Sequence, residues 1–586
     1  MSERASAPSV DTDRPVIAKR VFWPAATIVT LAVALALIVP QGFNAVISTA
    51  NDAVVDGLGW YFVLLVTTFV VFSLAVAISR FGKIRLGNDN EKPQYGLMSW
   101  FSMLFAAGMG IGLVFWGAAE PLSFFEGESV PPNAVGLDPE ARAQRALGQT
   151  FLHWGLHAWA IYVVVGLAVA YSTHRKGRPI SIRWALEPIL GKRTNTWIGD
   201  LVDIIAIVGT LCGVAMSLGY GVNQIFAGLV HIGLFPADME WLKVLMVVVI
   251  TAAATLSVAS GVDKGIRWLS NINLVMAAVL LLAVLALGPT LFILRDSVSN
   301  VGYYLQNFIQ LSFQTLPFFG EEGAAWTNAW TVGYWGWWIS WAPFVGVFIA
   351  RISRGRTVRE FIIGVLLVPT LVTIIWFTVM GGTAIYESLI NDVDFTRDGA
   401  IDPNYALFDT LSTLPATTLL SGLAIVLVTI FFITSADSGA FVVDMIAHGG
   451  NTQPPRITRI FWASGSGAIA AALIWASLAD EAAEDGMAGL QALALLSAGP
   501  FTLVMIAMMI SVWQELRREV RVIEELELQI RQREFVEKYS GAISDQVADQ
   551  VVDDVHDRVV GTLTQTGELR VVSPDTDQTP GPPAKG

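Results

Sequence analysis

Residues 334–341 read YWGWWISW, and Tyr334, Trp337, Trp338 and Trp341 follow one another at i, i+3, i+4 and i+7. On a helix that spacing makes a single aromatic stripe. A second set lies in HWGLHAWAIY at 153–162. There Trp154, Trp159 and Tyr162 fall within an arc of about 140° on a continuous helix turning about 100° per residue. Aromatic faces attract cations, and a quaternary ammonium group, which has no N–H to donate, is well held by them at roughly 0.5–2 kcal/mol per contact. Either stripe alone is equally compatible with core packing. Together they predict a cage for an onium group.

Two further stretches carry oxygen chemistry. AAGMGIG at 106–112 concentrates Gly108, Gly110 and Gly112, with Gly117 following, in the middle of an apolar run. A glycine inside a helix costs up to about 1 kcal/mol relative to alanine. Unwinding there would free carbonyls for a cation such as Na⁺ and amides for a carboxylate. Gly108 and Gly112 also stand at the GxxxG spacing that lets membrane helices approach. The second stretch is TSADS at 434–438. The hydroxyls of Thr434 and Ser435 could complete an oxygen shell around a hard cation, or simply bond back to their own helix. Asp437 is either a functional acid at membrane depth or a cap near the inner surface. His153, His157 and Asp203 are candidate proton carriers that nothing in their spacing singles out.

The elements that must position these residues are membrane helices. The 586-residue chain is 54% apolar and 15% charged, with mean hydropathy +0.57, and its apolar runs recur at the length that crosses a bilayer. Their continuity favours helices over barrel strands. Twelve spans are expected, at 21–40, 58–79, 97–119, 147–172, 197–222, 240–260, 268–293, 329–350, 359–385, 416–446, 457–479 and 487–513. With a cytoplasmic N-terminus, twenty-two lysines and arginines fall on the N-terminal tail and loops assigned inside. Five (Arg142, Arg145, Lys243, Arg295 and Arg397) fall outside. This alternation is the positive-inside pattern. The third span, with AAGMGIG, and the eighth, with Gly336 and Pro343, each open a set of five spans running in opposite directions. Interrupted spans at matching places in two inverted halves point to a secondary transporter's binding site.

The organisation expected is a cytoplasmic tail at 1–20, two helices at 21–96 and a first five-helix repeat at 97–295. An outer amphipathic helix and linker at 296–328, a second inverted repeat at 329–513, and a cytoplasmic helix with a disordered tail at 514–586 complete it. Both termini are expected in the cytoplasm, with no removable signal peptide at the N-terminus. The single cysteine, Cys212, excludes a disulfide framework. The net charge of −13 argues against a nucleic-acid partner. The charged helix after Trp513 is a solvated helix or a regulatory one that meets the anionic inner membrane face or a neighbouring subunit.

AAGMGIGLVFWGAAEPLSFF, FLHWGLHAWAIYVVVGLAVAY, YWGWWISWAPFVGVFIARISRGRTVREFIIGVLLVPTL and FFITSADSGAFVVDM resemble the betaine/choline/carnitine transporter family over residues 20–515. The resemblance implies an all-α integral membrane protein of twelve transmembrane helices, with a LeuT-like 5+5 inverted repeat in spans three to twelve, in a homotrimer. It implies a substrate site of Trp154, Trp159, Tyr162, Trp337, Trp338, Trp341, Ala107, Gly108, Met109 and Gly112, with Ser217 near the substrate carboxylate. It implies a Na⁺ site at Ala106, Met109, Thr434 and Ser435. A second Na⁺ site would use Thr210 and Phe344, where Val214 replaces a further threonine. Choline- and carnitine-type relatives carry Asp where Gly112 stands, so Gly112 resembles the glycine-betaine type, and Gly112→Asp is expected to shift preference toward choline. No Arg or Lys stands between Ile204 and Gly221, which fits ion coupling.

The reading that follows is Na⁺ symport of glycine betaine or a similar zwitterion in osmoprotection, in the cell membrane, with anionic lipids as possible partners. Na⁺ is the coupling ion and no other cofactor is expected. A Na⁺-independent or H⁺-coupled choline or carnitine carrier or exchanger, and a non-transporting osmosensor, are the alternatives. An enzyme is not expected, because no cluster combines nucleophile, base and orienting group.

Overall fold

The computed structural model describes residues 17–108, 110–260, 263–478 and 487–565. Its helices, in chain order, are α1 (Lys19–Ile38), α2 (Pro40–Ile78), α3 (Leu97–Gly108), α4 (Ile111–Phe125), α5 (Pro139–Trp154), α6 (Leu156–Ala170), α7 (Glu187–Leu190) and α8 (Trp197–His231). There follow α9 (Trp241–Ser260), α10 (Asp263–Leu287), α11 (Thr290–Ser312), α12 (Gly320–Thr327), α13 (Gly333–Ile352) and α14 (Val358–Asn391). The last four are α15 (Ala406–Ser412), α16 (Thr417–Ala447), α17 (Arg456–Leu478) and α18 (Ala488–Gln565). The described strands are two short ones in the loop between α14 and α15, where Thr396 pairs with Ile401 and Arg397 with Ala400. The chain divides into two units, Met1–Leu516 and Arg517–Gly586. The described part of the second unit is helix. The terminal VSPDTDQTPGPPAKG lies outside the described residues.

Among the described residues, ten helical stretches are long and apolar enough to cross a membrane. The third and eighth expected spans are not among them, for different reasons. The third is split: α3 ends at Gly108, α4 starts at Ile111, and Gly110 between them is extended (φ −129°, ψ −159°). The expected break in the eighth does not occur. α13 is continuous through Gly336 and Pro343. A Cβ on Gly336 would lie 3.0 Å from Leu495 Cγ, so this glycine serves close packing against α18 and not unwinding. The local irregularity comes just before, as a π-helical turn over Asn328–Val332.

The fourth expected span is broken where the sequence reading had it continuous. α5 stops at Trp154, α6 begins at Leu156, and Gly155 between them has φ −96° and ψ −132°. A Cβ there would stand 2.4 Å from the Phe151 carbonyl oxygen, so only glycine fits. The 140° arc for Trp154, Trp159 and Tyr162 assumed one regular helix and does not hold across this break. By contrast, the start of α14 follows its sequence directly. Thr357 and Glu360 form a reciprocal capping box, with Glu360 N bonded to Thr357 Oγ1 at 3.2 Å and Thr357 N to Glu360 Oε2 at 3.0 Å.

The unit's core centres on α13, which packs along α6 and α8, while α16 lies against α8 and α14 against α4. These five partners bring the third, fourth, fifth, ninth and tenth expected spans around the eighth. Arg183 and Asp203 fix the loop that precedes α8. Asp203 Oδ2 accepts from Arg183 Nε at 2.5 Å and from Ser181 Oγ at 2.7 Å. Asp203 is therefore a structural anchor, held in an ion pair with hydrogen bonds on both sides.

α11 is amphipathic and is not one of the ten apolar stretches. Its Asp296 is largely enclosed, and burial pushes the carboxyl up to about 6 despite the hydrogen bond from Asn300 Nδ2 at 2.6 Å. A carboxyl raised on folding stabilises the folded state fully below its unfolded pKa, and that contribution fades as pH rises through the folded value. Between about pH 4 and pH 6, Asp296 should therefore withdraw roughly 1–2 kcal/mol, allowing for its partial exposure. Asp296→Asn should flatten the fall in detergent-solubilised melting temperature over this interval. Superimposable pH profiles for the two proteins would refute the assignment.

Candidate functional site

The break between α3 and α4 sits beside two of the residues singled out in the sequence. A Cβ built on Gly110 would lie 3.6 Å from Trp341 Cη2 and 3.9 Å from Ser435 Oγ. An aromatic edge from α13 and a hydroxyl from α16 thus both approach the interrupted backbone. Ala106, Ala107 and Gly108 form the last turn of α3, which ends in carbonyls that no further turn of helix can satisfy. Met109 lies outside the described residues.

Trp154, Trp337 and Trp338 come together with Tyr334. Trp337 and Trp338 stack at 4.6 Å and 14°, and Trp154 meets Trp338 edge-on at 4.8 Å and Trp337 at 6.1 Å. Tyr334 lies 5.6 Å from Trp154 and 6.2 Å from Trp337. Tyr220 of α8 adds a further face, 5.0 Å from Trp337. Gly112, in the first turn of α4, faces this cluster. A Cβ at Gly112 would stand 2.5 Å from Trp337 Cη2 and 3.0 Å from Trp154 Cη2. The missing side chain is thus a steric requirement of the two indoles as well as a missing charge.

The other aromatic candidates separate from this cluster. Trp159 and Tyr162 pair with each other at 5.4 Å and make no ring contact with Trp337 or Trp338 among the described residues. Trp341 meets Phe344 at 5.6 Å, one turn further along α13. The single stripe expected on α13 is therefore divided between Tyr334–Trp337–Trp338 and Trp341–Phe344.

The hydroxyl candidates also differ in their engagement. Ser217 Oγ accepts from Trp337 Nε1 at 3.1 Å and donates to Gly213 O at 3.2 Å, so it anchors the indole. Thr434 Oγ1 bonds back to the carbonyls of Ile430 at 3.0 Å and Phe431 at 3.2 Å. Thr210 Oγ1 is buried with no hydrogen-bond partner among the described residues. Val214 packs against α16 at Gly439, where a Cβ would lie 2.9 Å from its Cγ2. Asp437 is paired with Arg459 of α17 at 2.7 Å, which joins the two helices. His157 stacks on Trp335 at 5.6 Å, with both ring nitrogens buried and unpartnered among the described residues.

The centre that sequence reasoning missed is Glu120. It is fully buried. Its Oε2 accepts from Trp154 Nε1 at 2.6 Å and from the Tyr334 hydroxyl at 2.5 Å, and its Oε1 lies 2.7 Å from His153 Nδ1. His153, also fully buried, stacks on Tyr334 at 4.8 Å, and its carbonyl accepts from Trp338 Nε1 at 2.9 Å. One carboxylate thereby ties α4, α5 and α13 together and fixes the rings of the cluster. The expected third span ended at residue 119, one position short of it. α4 instead runs on to Phe125 with Pro121 inside. An ionisable residue at membrane depth is a functional candidate by default, and that rule would have found Glu120 had the boundary been drawn correctly.

Comparison with known proteins agrees with this architecture. Residues 20–521 match the profile of BCCT, the betaine/carnitine/choline family transporter. An uncharacterised transporter of Mycobacterium tuberculosis is 48% identical over 489 residues, covering 83% of this chain and 80% of that one. The glycine betaine transporter OpuD of Bacillus subtilis is 43% identical over 512 residues, 86% of this chain and 96% of its own. The ectoine/hydroxyectoine transporter of Virgibacillus pantothenticus is 40% identical over 491 residues, 84% and 95% respectively. With a family match across most of its length, and with apolar helices enough to pass the membrane many times, this chain is a multi-pass membrane protein that belongs to the betaine/carnitine/choline transporter family.

Proposed function

We propose that the protein imports glycine betaine or a closely similar zwitterion by Na⁺ symport, as an osmoprotective transporter of the cell membrane. It does so as a homotrimer, with twelve spans, a LeuT-like pair of inverted repeats and both termini in the cytoplasm. The observation that carries the reading is the position of the α3–α4 break, beside both the Trp341 ring and the Ser435 hydroxyl. Freed carbonyls at the end of α3, with Ser435 opposite, offer oxygen ligands to Na⁺. The rings of Trp154, Trp337 and Trp338 offer π faces to the trimethylammonium group. The half-helix start at Ile111 points amides at the substrate carboxylate. The relative from Bacillus subtilis that is named a glycine betaine transporter supports the substrate class. The Virgibacillus relative, named for ectoine, makes cyclic zwitterions the first competitors to test.

Proteoliposomes containing the purified protein should accumulate labelled glycine betaine when an inward Na⁺ gradient is imposed. Uptake indifferent to Na⁺ would overturn the coupling, and competition by choline in place of betaine would overturn the substrate assignment. The two hydroxyls should not be equivalent. Ser435→Ala should raise the Na⁺ concentration for half-maximal uptake about tenfold, a change of about 1.4 kcal/mol in ion affinity. Thr434→Ala should do less, because that hydroxyl already bonds its own helix. Equal losses would show that both hydroxyls turn toward the ion.

Gly112 gives a separate test. Since a Cβ there meets Trp337 at 2.5 Å, Gly112→Ala should lower betaine uptake by an order of magnitude with no change in charge. Gly112→Asp should gain choline transport only if the indole shifts to admit the acid. Wild-type uptake by Gly112→Ala would show that Trp337 yields freely and would leave charge as the role of this position.

A further inference from the structure

The cluster around Glu120 has a property that follows from which groups can only donate. Arg145 is a guanidinium with five donors and no acceptor. Its Nη2 lies 2.6 Å from Gln314 Oε1, which also accepts from Asn133 Nδ2 at 3.3 Å. The amide of Gln314 is thereby oriented, and its Nε2 donates to Gln149 Oε1 at 3.5 Å. Gln149 is then oriented in turn, and its Nε2 faces His153 Nε2 at 3.2 Å as a donor. His153 Nε2 must therefore be an acceptor, whose lone pair the Thr331 hydroxyl at 3.0 Å can share as a second donor. A neutral imidazole that accepts at Nε2 carries its proton on Nδ1. That proton points at Glu120 Oε1.

The remaining contacts of Glu120 agree. Trp154 Nε1 is donor-only, and the hydroxyl of Tyr334 reaches the same oxygen. A carboxylate that receives three donors, each at 2.7 Å or less, has the geometry of the ionised form. The chain of polar groups runs from a cation, Arg145, to an anion, Glu120, with neutral groups between. The charge it delivers sits directly behind two members of the aromatic cluster.

We propose that Glu120 is an ionised positioning residue whose fixed negative charge, transmitted through the Trp154 N–H and the Tyr334 O–H, deepens the π potential of the aromatic site and sets which end of a zwitterion enters it. This rests on the reading of that cluster as the onium site. An N–H or O–H that donates to an anion pushes electron density into its ring, and the low dielectric of a buried site strengthens the effect. The same charge repels the substrate carboxylate and so turns it toward the α3–α4 break. The acid absent at Gly112 is thereby replaced by one held behind the rings, which attracts the ammonium without contacting it.

The test compares two ligands of nearly equal shape on the purified full-length protein by calorimetry. One is glycine betaine. The other is tert-butylacetate, in which carbon replaces the quaternary nitrogen. Glu120→Gln removes the charge but can still accept from Trp154 and Tyr334. It should lower betaine affinity roughly tenfold or more while leaving tert-butylacetate unchanged or tighter. Glu120→Asp should recover most of the betaine preference. A loss equal for both ligands would reduce Glu120 to a structural tie and overturn the proposal. Infrared difference spectra between wild type and Glu120→Asp at neutral pH provide a second reading that needs no ligand. Carboxylate bands that shift with the substitution support an ionised Glu120, and a shifting protonated-carboxyl band overturns it. Failure of the wild type to bind betaine at all would count against the substrate assignment instead, with the infrared result still deciding the charge.

Discussion

A helix that stops inside a membrane leaves carbonyls at one end and amides at the next start with no water to satisfy them. The architecture around residues 108–111 answers that constraint. α3 and α4 part at Gly110, and the neighbours brought to the gap are a ring from α13 and a hydroxyl from α16. Neither fully replaces the missing backbone partners. Such a gap is stable only where protein surrounds it or where it holds a ligand, and here α13 and α16 both reach it. The second break, at Gly155, lets α5 end on His153 and Trp154 and so deliver both side chains to Glu120.

Much of this was legible in the residues. The glycines of AAGMGIG were compatible with either a break or GxxxG packing, and the matching interruption expected in the eighth span, which favoured the break, is absent from α13 although the break itself is present. The aromatic residues at 334–341 announced a stripe, which the structure divides, with Tyr334, Trp337 and Trp338 meeting Trp154 of the fourth span while Trp159 and Tyr162 pair elsewhere. Gly155 was not legible, since one glycine in an apolar run is compatible with an unbroken helix. What excludes a side chain there is the carbonyl of Phe151, a three-dimensional fact. Gly336 was misread for the complementary reason. It looked like a breaker and is a packing contact with Leu495. Glu120 was missed because the expected span stopped one residue before it, whereas α4 runs on to Phe125 with Pro121 inside, tolerated where neighbouring helices stabilise what proline disrupts.

The hydroxyl and acid candidates show how a residue type underdetermines its work. Thr434 and Ser435 are adjacent, yet the first bonds back to its own helix and the second faces the break. Asp203 and Asp437 are both buried acids, and both are committed to arginines that hold loops or helices in place. Glu120 differs from them in having an imidazole and two ring donors for partners. That distinction depends on which helices meet, and no local pattern encodes it.

The indole N–H groups of the cluster are all engaged: Trp154 with Glu120, Trp337 with Ser217 and Trp338 with the His153 carbonyl. A ring tethered at its nitrogen and packed against its neighbours has few rotamers open to it. The three rings thus have much of their side-chain entropy already lost in folding, which favours a partner of fixed shape over one that needs the cluster to adapt. Any motion that keeps these hydrogen bonds has to carry the rings as one body. The backbone departs from helix at Gly110 and Gly155, next to the Gly112 and Trp154 that meet those rings.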